Sequence, residues 1–252
     1  MKKAIHLIIG LGLVIGMSGA AHADLVTNGG FETTTNGNGQ LGFNTDVVGW
    51  SVPAGATSSY AFVFAPGTAD TTGANGQYGN VILHGPGNGT NNGLPAASPD
   101  GGNFIASDGG FQPGAITQTI NGLVAGQTYA VSFWWGAAQQ YGFDGPTQSG
   151  WEVSLGSGPS QHTGLFNLPS HDFSGWQFTT FNFVADGSSD VLSFLAEGQP
   201  GGEPPFSLLD GVSVSSPSTP EGSSLGLFSM GLLSMGGVGV FARRKKAAKS
   251  IS

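Results

Sequence analysis

Along most of the chain, apolar residues alternate with polar ones in short runs separated by Gly, Asn, Pro and Ser. The runs are VVGWSV, YAFVFA, NVILHG, NFIAS, AITQTI, TYAVSFWW, WEVSLG, WQFTTFNFVA, VLSFLA and FSLLDGVSVS. A period of two sends successive side chains to opposite faces of an extended strand. No stretch between them holds a helical period, so the pattern predicts an all-β, antiparallel β-sandwich, a jelly roll, over residues 24–216. A Gly-, Asn- and Pro-rich stretch from Pro66 to Gly102, broken only by NVILHG, reads as a long loop region, and long loops in a compact domain are functional or mobile.

Parity within the runs assigns faces. In TYAVSFWWGAA, Tyr129, Val131, Phe133 and Trp135 share the core side, which leaves Trp134 on a more polar face with Ala130, Ser132 and Gly136. A ring presented that way can stack on the apolar face of a sugar, with Tyr141 and Trp151 expected on the rim. In WQFTTFNFVA, Trp176 and Phe178 have a parity that Phe181 and Phe183 do not, which predicts a bulge near Thr179 and Thr180. In FSLLDGVSVS, simple alternation puts Phe206, Leu208, Val212 and Val214 on one side, and Asp210 with them.

Composition sharpens the reading of Asp210. The 252 residues include 45 glycines, which suit strands and turns better than helices. All seven Lys and Arg lie at the two ends, so from Ala4 to Ala242 there is no basic side chain except histidine, while all 15 acidic residues lie between Asp24 and Glu221. That span repels nucleic acid and anionic lipid and suits neutral ligands and cations. A carboxylate in an apolar row must be protonated, bonded to backbone amides, exposed by a bulge, or bound to a cation. With no Lys or Arg for a partner, a metal is one natural counter-charge, and oxygen donors favour calcium. The plainer alternative is a turn at LDG in which Asp210 caps its own backbone.

The ends carry addresses. Residues 1–23 have a basic start, an apolar middle and small residues at Ala21 and Ala23, the pattern of a secretory signal peptide. Residues 217–224 read as a polar linker holding Pro220 and Glu221, residues 225–242 as an uncharged transmembrane or sorting segment, and residues 243–252 as a basic cytoplasmic tail. The chain has no cysteine, so an exported form has no disulfide to brace it.

The Pro-Glu pair, apolar segment and Arg-containing end resemble the PEP-CTERM sorting signal of exported Gram-negative proteins. That resemblance implies processing by an exosortase-type enzyme, a membrane-anchored precursor or a secreted product, and a setting of exopolysaccharide and biofilm. In the middle, NGGFE, GW, ITQTINGLVAGQTYAVSFWWG and LLDGVSVS are similar to the galactose-binding-like jelly rolls that include carbohydrate-binding modules. This second resemblance implies a glycan partner and a structural calcium near Glu32 and Asp210.

Catalytic chemistry has little support in the spacing. GSSLG matches the G-x-S-x-G elbow but stands before the apolar segment, without the strand-turn-helix setting that exposes a nucleophile. His84, His162 and His171 show no metal-ligand spacing and read as loop residues. Glu152 and Asp172 are the carboxylates to examine for a glycosidase pair. The expectation is therefore a non-enzymatic, exported, polysaccharide-binding sandwich. A structural matrix protein without glycan binding is the alternative, and a secreted glycoside hydrolase trails both.

Overall fold

In a computed structural model, which describes residues 24–53 and 59–216, thirteen strands form antiparallel sheets. They are β1 (Gly39–Gln40), β2 (Ala61–Phe64), β3 (Ala74–Gly76), β4 (Gly79–Val81), β5 (Phe104–Asp108), β6 (Ile116–Asn121), β7 (Thr128–Gln139), β8 (Thr147–Leu155), β9 (Gln161–His162), β10 (Phe166–Leu168), β11 (Gln177–Val184), β12 (Ser189–Gln199) and β13 (Pro205–Ser215). One sheet has the order β1-β2-β5-β13-β7-β11, the other β10-β8-β12-β6 with β9 alongside β8, and β3 and β4 form a separate hairpin. From β5 onward the long strands alternate between the two large sheets, the crossing pattern of a jelly roll. Among the described residues no helix is long and apolar enough to cross a membrane. The signal peptide, linker and C-terminal segment expected at residues 1–23 and 217–252, with Ala21, Ala23, Pro220, Glu221 and GSSLG, lie outside the described residues.

The inter-sheet core follows the alternation. Tyr129, Val131, Phe133 and Trp135 of β7 meet Trp151, Val153 and Leu155 of β8 and Leu192, Phe194 and Ala196 of β12. Phe133 and Phe194 make an edge-to-face pair at 5.1 Å. Trp151 is fully buried here, and its indole N–H donates to the Leu208 carbonyl of the opposite sheet at 2.9 Å. The expectation that Trp151 rims a binding surface is thus corrected: it is an odd-parity residue of a strand whose odd side faces the core.

The six-stranded sheet is buried on both faces over β2, β5 and the first half of β13, which the alternation did not predict. Phe62, Phe64, Phe104, Ala106, Phe206 and Leu208 point away from the inter-sheet core, into a second apolar cluster with Ala69, Ala74, Val81, Leu83 and Leu94. Those last five come from the Gly- and Asn-rich stretch, so the long loop is a lid packed over the sheet. Two-sided burial explains why β2 reads as an unbroken apolar run and why all five residues of β5 are buried.

Two parity expectations change. The β7–β11 register runs unbroken from Trp135↔Gln177 to Thr128↔Val184, so no bulge occurs at Thr179 and Thr180. Phe178 simply points outward, 57% exposed, while Phe181 packs inward on Phe133. The irregularity lies instead in β13: Asp210 pairs with Trp134 but Ser213 pairs with Ser132, one extra residue on the β13 side. Gly211 occupies the bulge at φ +58°. The bulge reverses the side-chain parity, so Phe206, Leu208 and Asp210 face the lid, whereas Leu209, Val212 and Val214 face the inter-sheet core. Asp210 does not share a row with Val212 and Val214.

A second buried carboxyl sits at the other end of the lid-covered face. Asp108 accepts the Gly110 and Phe111 amides on Oδ1 at 2.8 and 3.0 Å, while its Oδ2 is buried without a partner. Burial pushes its pKa from 3.8 up to about 7, against the opposing pull of those two amides. The folded state therefore holds a proton that the unfolded chain releases, and the associated stability is present below about pH 4 and lost as pH rises through about 7. A rise of roughly three units corresponds to about 4 kcal/mol. Asp108→Asn removes the titrating group, so urea unfolding at successive pH values should show the variant gaining on the parent between pH 4 and 7 by up to that amount. A constant difference across that range would contradict this.

Candidate functional site

Three carboxylates converge at the β13 bulge. Residues 28–33 form a tight loop in which the Asn28 side chain accepts the Thr33 amide at 3.0 Å and donates to the Val48 carbonyl at 2.9 Å. Phe31, at φ +58°, is buried in the inter-sheet core, a strained conformation for a bulky residue that anchors the loop and turns Glu32 outward. The Val212 amide donates to the Gly29 carbonyl at 3.0 Å, tying this loop to β13 immediately after the bulge. From the lid, Ser98 donates its hydroxyl to Asp210 Oδ2 and accepts the Asp100 amide at 3.0 Å. Glu32 Oε1 accepts the Asn103 amide at 2.9 Å.

Gly30 stands among the three acids. A Cβ built on it would lie 3.1 Å from Asp100 Oδ2, 3.8 Å from Glu32 Oε1 and 3.9 Å from Asp210 Oδ1. Asp210 is fully buried and its Oδ1 has no hydrogen-bond partner. Burial first, then the nearby Asp100 and Glu32, push its pKa from 3.8 up to about 8, which the Ser98 hydroxyl and the Gly211 amide offset only in part. Without a counter-charge, Asp210 is therefore a neutral acid at pH 7. The donor set is oxygen only and includes an unused buried oxygen, the kind of donor a hard divalent cation takes.

The sequence singles out Glu32 and Asp210, and the structure places them near each other. The sequence reading missed Asp100, whose only signal was a carboxylate next to two glycines in SPDGG.

Beside this cluster lies an aromatic surface. Asp210, Trp134 and Phe178 are consecutive cross-strand neighbours on β13, β7 and β11. Trp134 is half-buried and faces outward as expected, with its ring 5.1 Å from that of Phe178 at 58°. The lid ends here. Beyond Trp134 the face is open and carries Ser132, Thr180, Asn182 and Ser213. A Cβ on Gly211 would stand 3.0 Å from the Asp100 side chain and 3.1 Å from the Trp134 ring, so the acid cluster and the indole meet at this glycine.

The other expected residues lie elsewhere. Tyr141 is 47% exposed, but it packs on His84 at 5.1 Å, and His84 stacks on His171 at 4.1 Å. His171 Nε2 lies 2.6 Å from Asp144. His84 is buried and its pKa is lowered, chiefly by that burial. His162 is the last residue of β9, not a loop residue.

Glu152 and Asp172 do not form a pair. Leu168 of β10 is opposite Thr147 of β8, so Asp172 lies beyond the start of β8, and Glu152 is five residues further along, roughly 16 Å of strand. Asp172 Oδ1 accepts the Phe173 amide of its own loop.

Two other surfaces could receive a ligand. Tyr78 and Phe111, 60% and 42% exposed, form a ring pair at 5.7 Å above Tyr60, and the Gln112 amide donates to the Tyr78 hydroxyl. A groove of about 660 Å³ lined by Pro146, Gln148, Asn167, Pro169, Gln199 and Pro200 has amide side chains but no aromatic ring.

No family model matches the chain, and no curated protein matches it. Among solved structures it is similar to the CBM22-1 xylan-binding domain from Paenibacillus barcinonensis, at 13% identity and a TM-score of 0.38, over 79% of this chain and 97% of that one. It is similar to TmCBM61 in complex with beta-1,4-galactotriose, at 14% identity and a TM-score of 0.35, over 77% and 99%. It is also similar to the enzymatically active domain of bacteriophage CBA120 tailspike protein 4, at 12% identity and a TM-score of 0.37, over 77% of this chain but only 21% of that one. The sandwich itself is established by its own strand pairing and core.

Proposed function

We propose that the protein is an exported, non-enzymatic component of a bacterial envelope or extracellular matrix whose sandwich binds neutral polysaccharide and is braced by calcium. The Trp134–Phe178 pair carries the binding. Its rings lie 5.1 Å apart on a small, polar, uncovered face, and Phe178 is 57% exposed. Such rings stack on the apolar face of a pyranose while Ser132, Thr180 and Asn182 bond its hydroxyls. The 15 carboxylates between Asp24 and Glu221, with no Lys or Arg among them, disfavour anionic glycans, so the partner is a neutral one.

Glu32, Asp100 and Asp210 would hold the calcium ion, and its charge would replace the proton on Asp210. Support comes from the unpartnered Oδ1, the three acids around Gly30 and the all-oxygen donors. Because Asp100 and Trp134 both crowd Gly211, binding the ion also fixes the lid edge beside the aromatic pair. The basic-apolar-small start at residues 1–23 supports export, and the Pro-Glu, apolar and basic end supports sorting by an exosortase-type enzyme.

Two experiments test the reading. In calorimetry of metal-stripped protein, calcium at a hundredfold excess over Kd should stabilise the fold by about 2.7 kcal/mol, and Asp210→Asn should abolish the effect. A parent whose melting temperature ignores both calcium and chelator contradicts the site. In affinity electrophoresis through gels of neutral polysaccharide, Phe178→Ala and Trp134→Ala should weaken retention about tenfold, or about 1.4 kcal/mol, while Tyr141→Ala leaves it intact. Unretarded migration in every gel, the producing organism's own exopolysaccharide included, would make the sandwich a matrix element that binds no glycan.

A further inference from the structure

The outward face of the second sheet carries a different kind of cluster. Glu152 of β8 is directly opposite His162 of β9 on one side and Leu195 of β12 on the other, so Glu197, two residues along β12, is its diagonal neighbour. Diagonal positions across a sheet are about 7–8 Å apart, within reach of two glutamate side chains. Alternation keeps all three outward, because Trp151, Val153, Phe194 and Ala196 occupy the core side of the same strands. One ligand atom of each residue lies within 4.8 Å of the other two, and His162 Nδ1 is 3.0 Å from Glu197 Oε2.

The scaffold beneath is rigid. Glu197 is opposite Gly150, whose missing side chain lets the segment after β9 close onto the sheet: a Cβ there would lie 2.4 Å from the Gly164 carbonyl. The Thr163 amide donates to the Trp151 carbonyl at 3.0 Å and the Thr163 hydroxyl accepts the Trp151 amide at 2.9 Å. These bonds hold His162 against β8 and within reach of β12.

Two carboxylates this close repel each other, and no Lys or Arg between Ala4 and Ala242 is present to separate them. A divalent ion answers both charges at once and uses the imidazole nitrogen that a calcium ion would not seek. We infer that Glu152, His162 and Glu197 form a binding site for a borderline divalent metal of the zinc class, separate from the oxygen-only cluster at Asp210. Donor type sorts the two ions: one nitrogen with two carboxylates for zinc, carboxylates alone for calcium. Three protein ligands leave the outward position to water or to a donor from another molecule.

Isothermal titration of the full-length protein with zinc chloride, in buffer already holding excess calcium, tests this. One zinc should bind per chain, and His162→Ala, Glu197→Gln and Glu152→Gln should each weaken it at least about tenfold, the order of change that mutation around a metal site commonly brings. Because the three residues are partly or fully exposed, these variants should melt like the parent when zinc is absent. The parallel variant His171→Ala should bind zinc as the parent does. No zinc binding by the parent overturns the inference, as does binding that survives the three cluster variants or is lost with His171→Ala.

Discussion

Between Ala4 and Ala242 the chain offers a carboxylate no positive side chain other than histidine. Every acidic group in the sandwich must therefore stay in water, accept backbone amides, keep a proton, pair with a histidine or bind a cation. Most of what is unusual in the structure follows from how individual acids meet that constraint. Asp186 stays at the surface and accepts the Ser157 amide, which lowers its pKa. Asp108 accepts two amides and still keeps its proton to about pH 7. Asp144 and Glu197 lie against histidines. Asp210, buried with two further acids close by, keeps a proton to about pH 8, and the calcium proposed above would take that proton's place.

Asp210 is buried because of the lid. A sandwich with open outer faces would leave that side of β13 in water, where a carboxylate costs nothing. Here Ala69, Ala74, Val81, Leu83 and Leu94 cover Phe62, Phe104, Phe206 and Leu208, and the cover reaches Asp210 through Ser98 and Asp100. It stops at Trp134, so the boundary between covered and open sheet runs through the row Asp210, Trp134 and Phe178. Charge, lid edge and exposed rings meet in that row, so the acid cluster and the aromatic surface adjoin at Gly211.

Alternation revealed strands where one face is apolar and the other wet, as in β6, β7 and β12. It also set Trp134 outward. It misread β13, because a one-residue bulge at Gly211 reverses parity and a glycine in a strand does not announce whether it bulges. Trp151 follows a glycine-rich loop, which suggests a rim position, but the parity of β8 sends it into the core. Asp100 joins Asp210 only when the lid folds back, and His162 meets Glu197 across 35 residues. Both meetings depend on strand order, which local pattern does not encode. The apolar residues of the lid were visible but scattered among glycines, and only their convergence on one sheet face reveals a second core.

The proposed calcium site requires Asp210 to exchange a proton for a cation without leaving its buried position. Site-resolved carbon-13 NMR of the aspartate side-chain carboxyl groups at pH 7 observes this directly, with Asp210→Asn used for assignment. In chelator the Asp210 carboxyl should resonate as the neutral acid, consistent with a pKa pushed up to about 8, and calcium should move it to the carboxylate position while Asp108 is unaffected. An Asp210 signal that is already that of the ionised group in chelator, and that calcium leaves in place, would contradict the account.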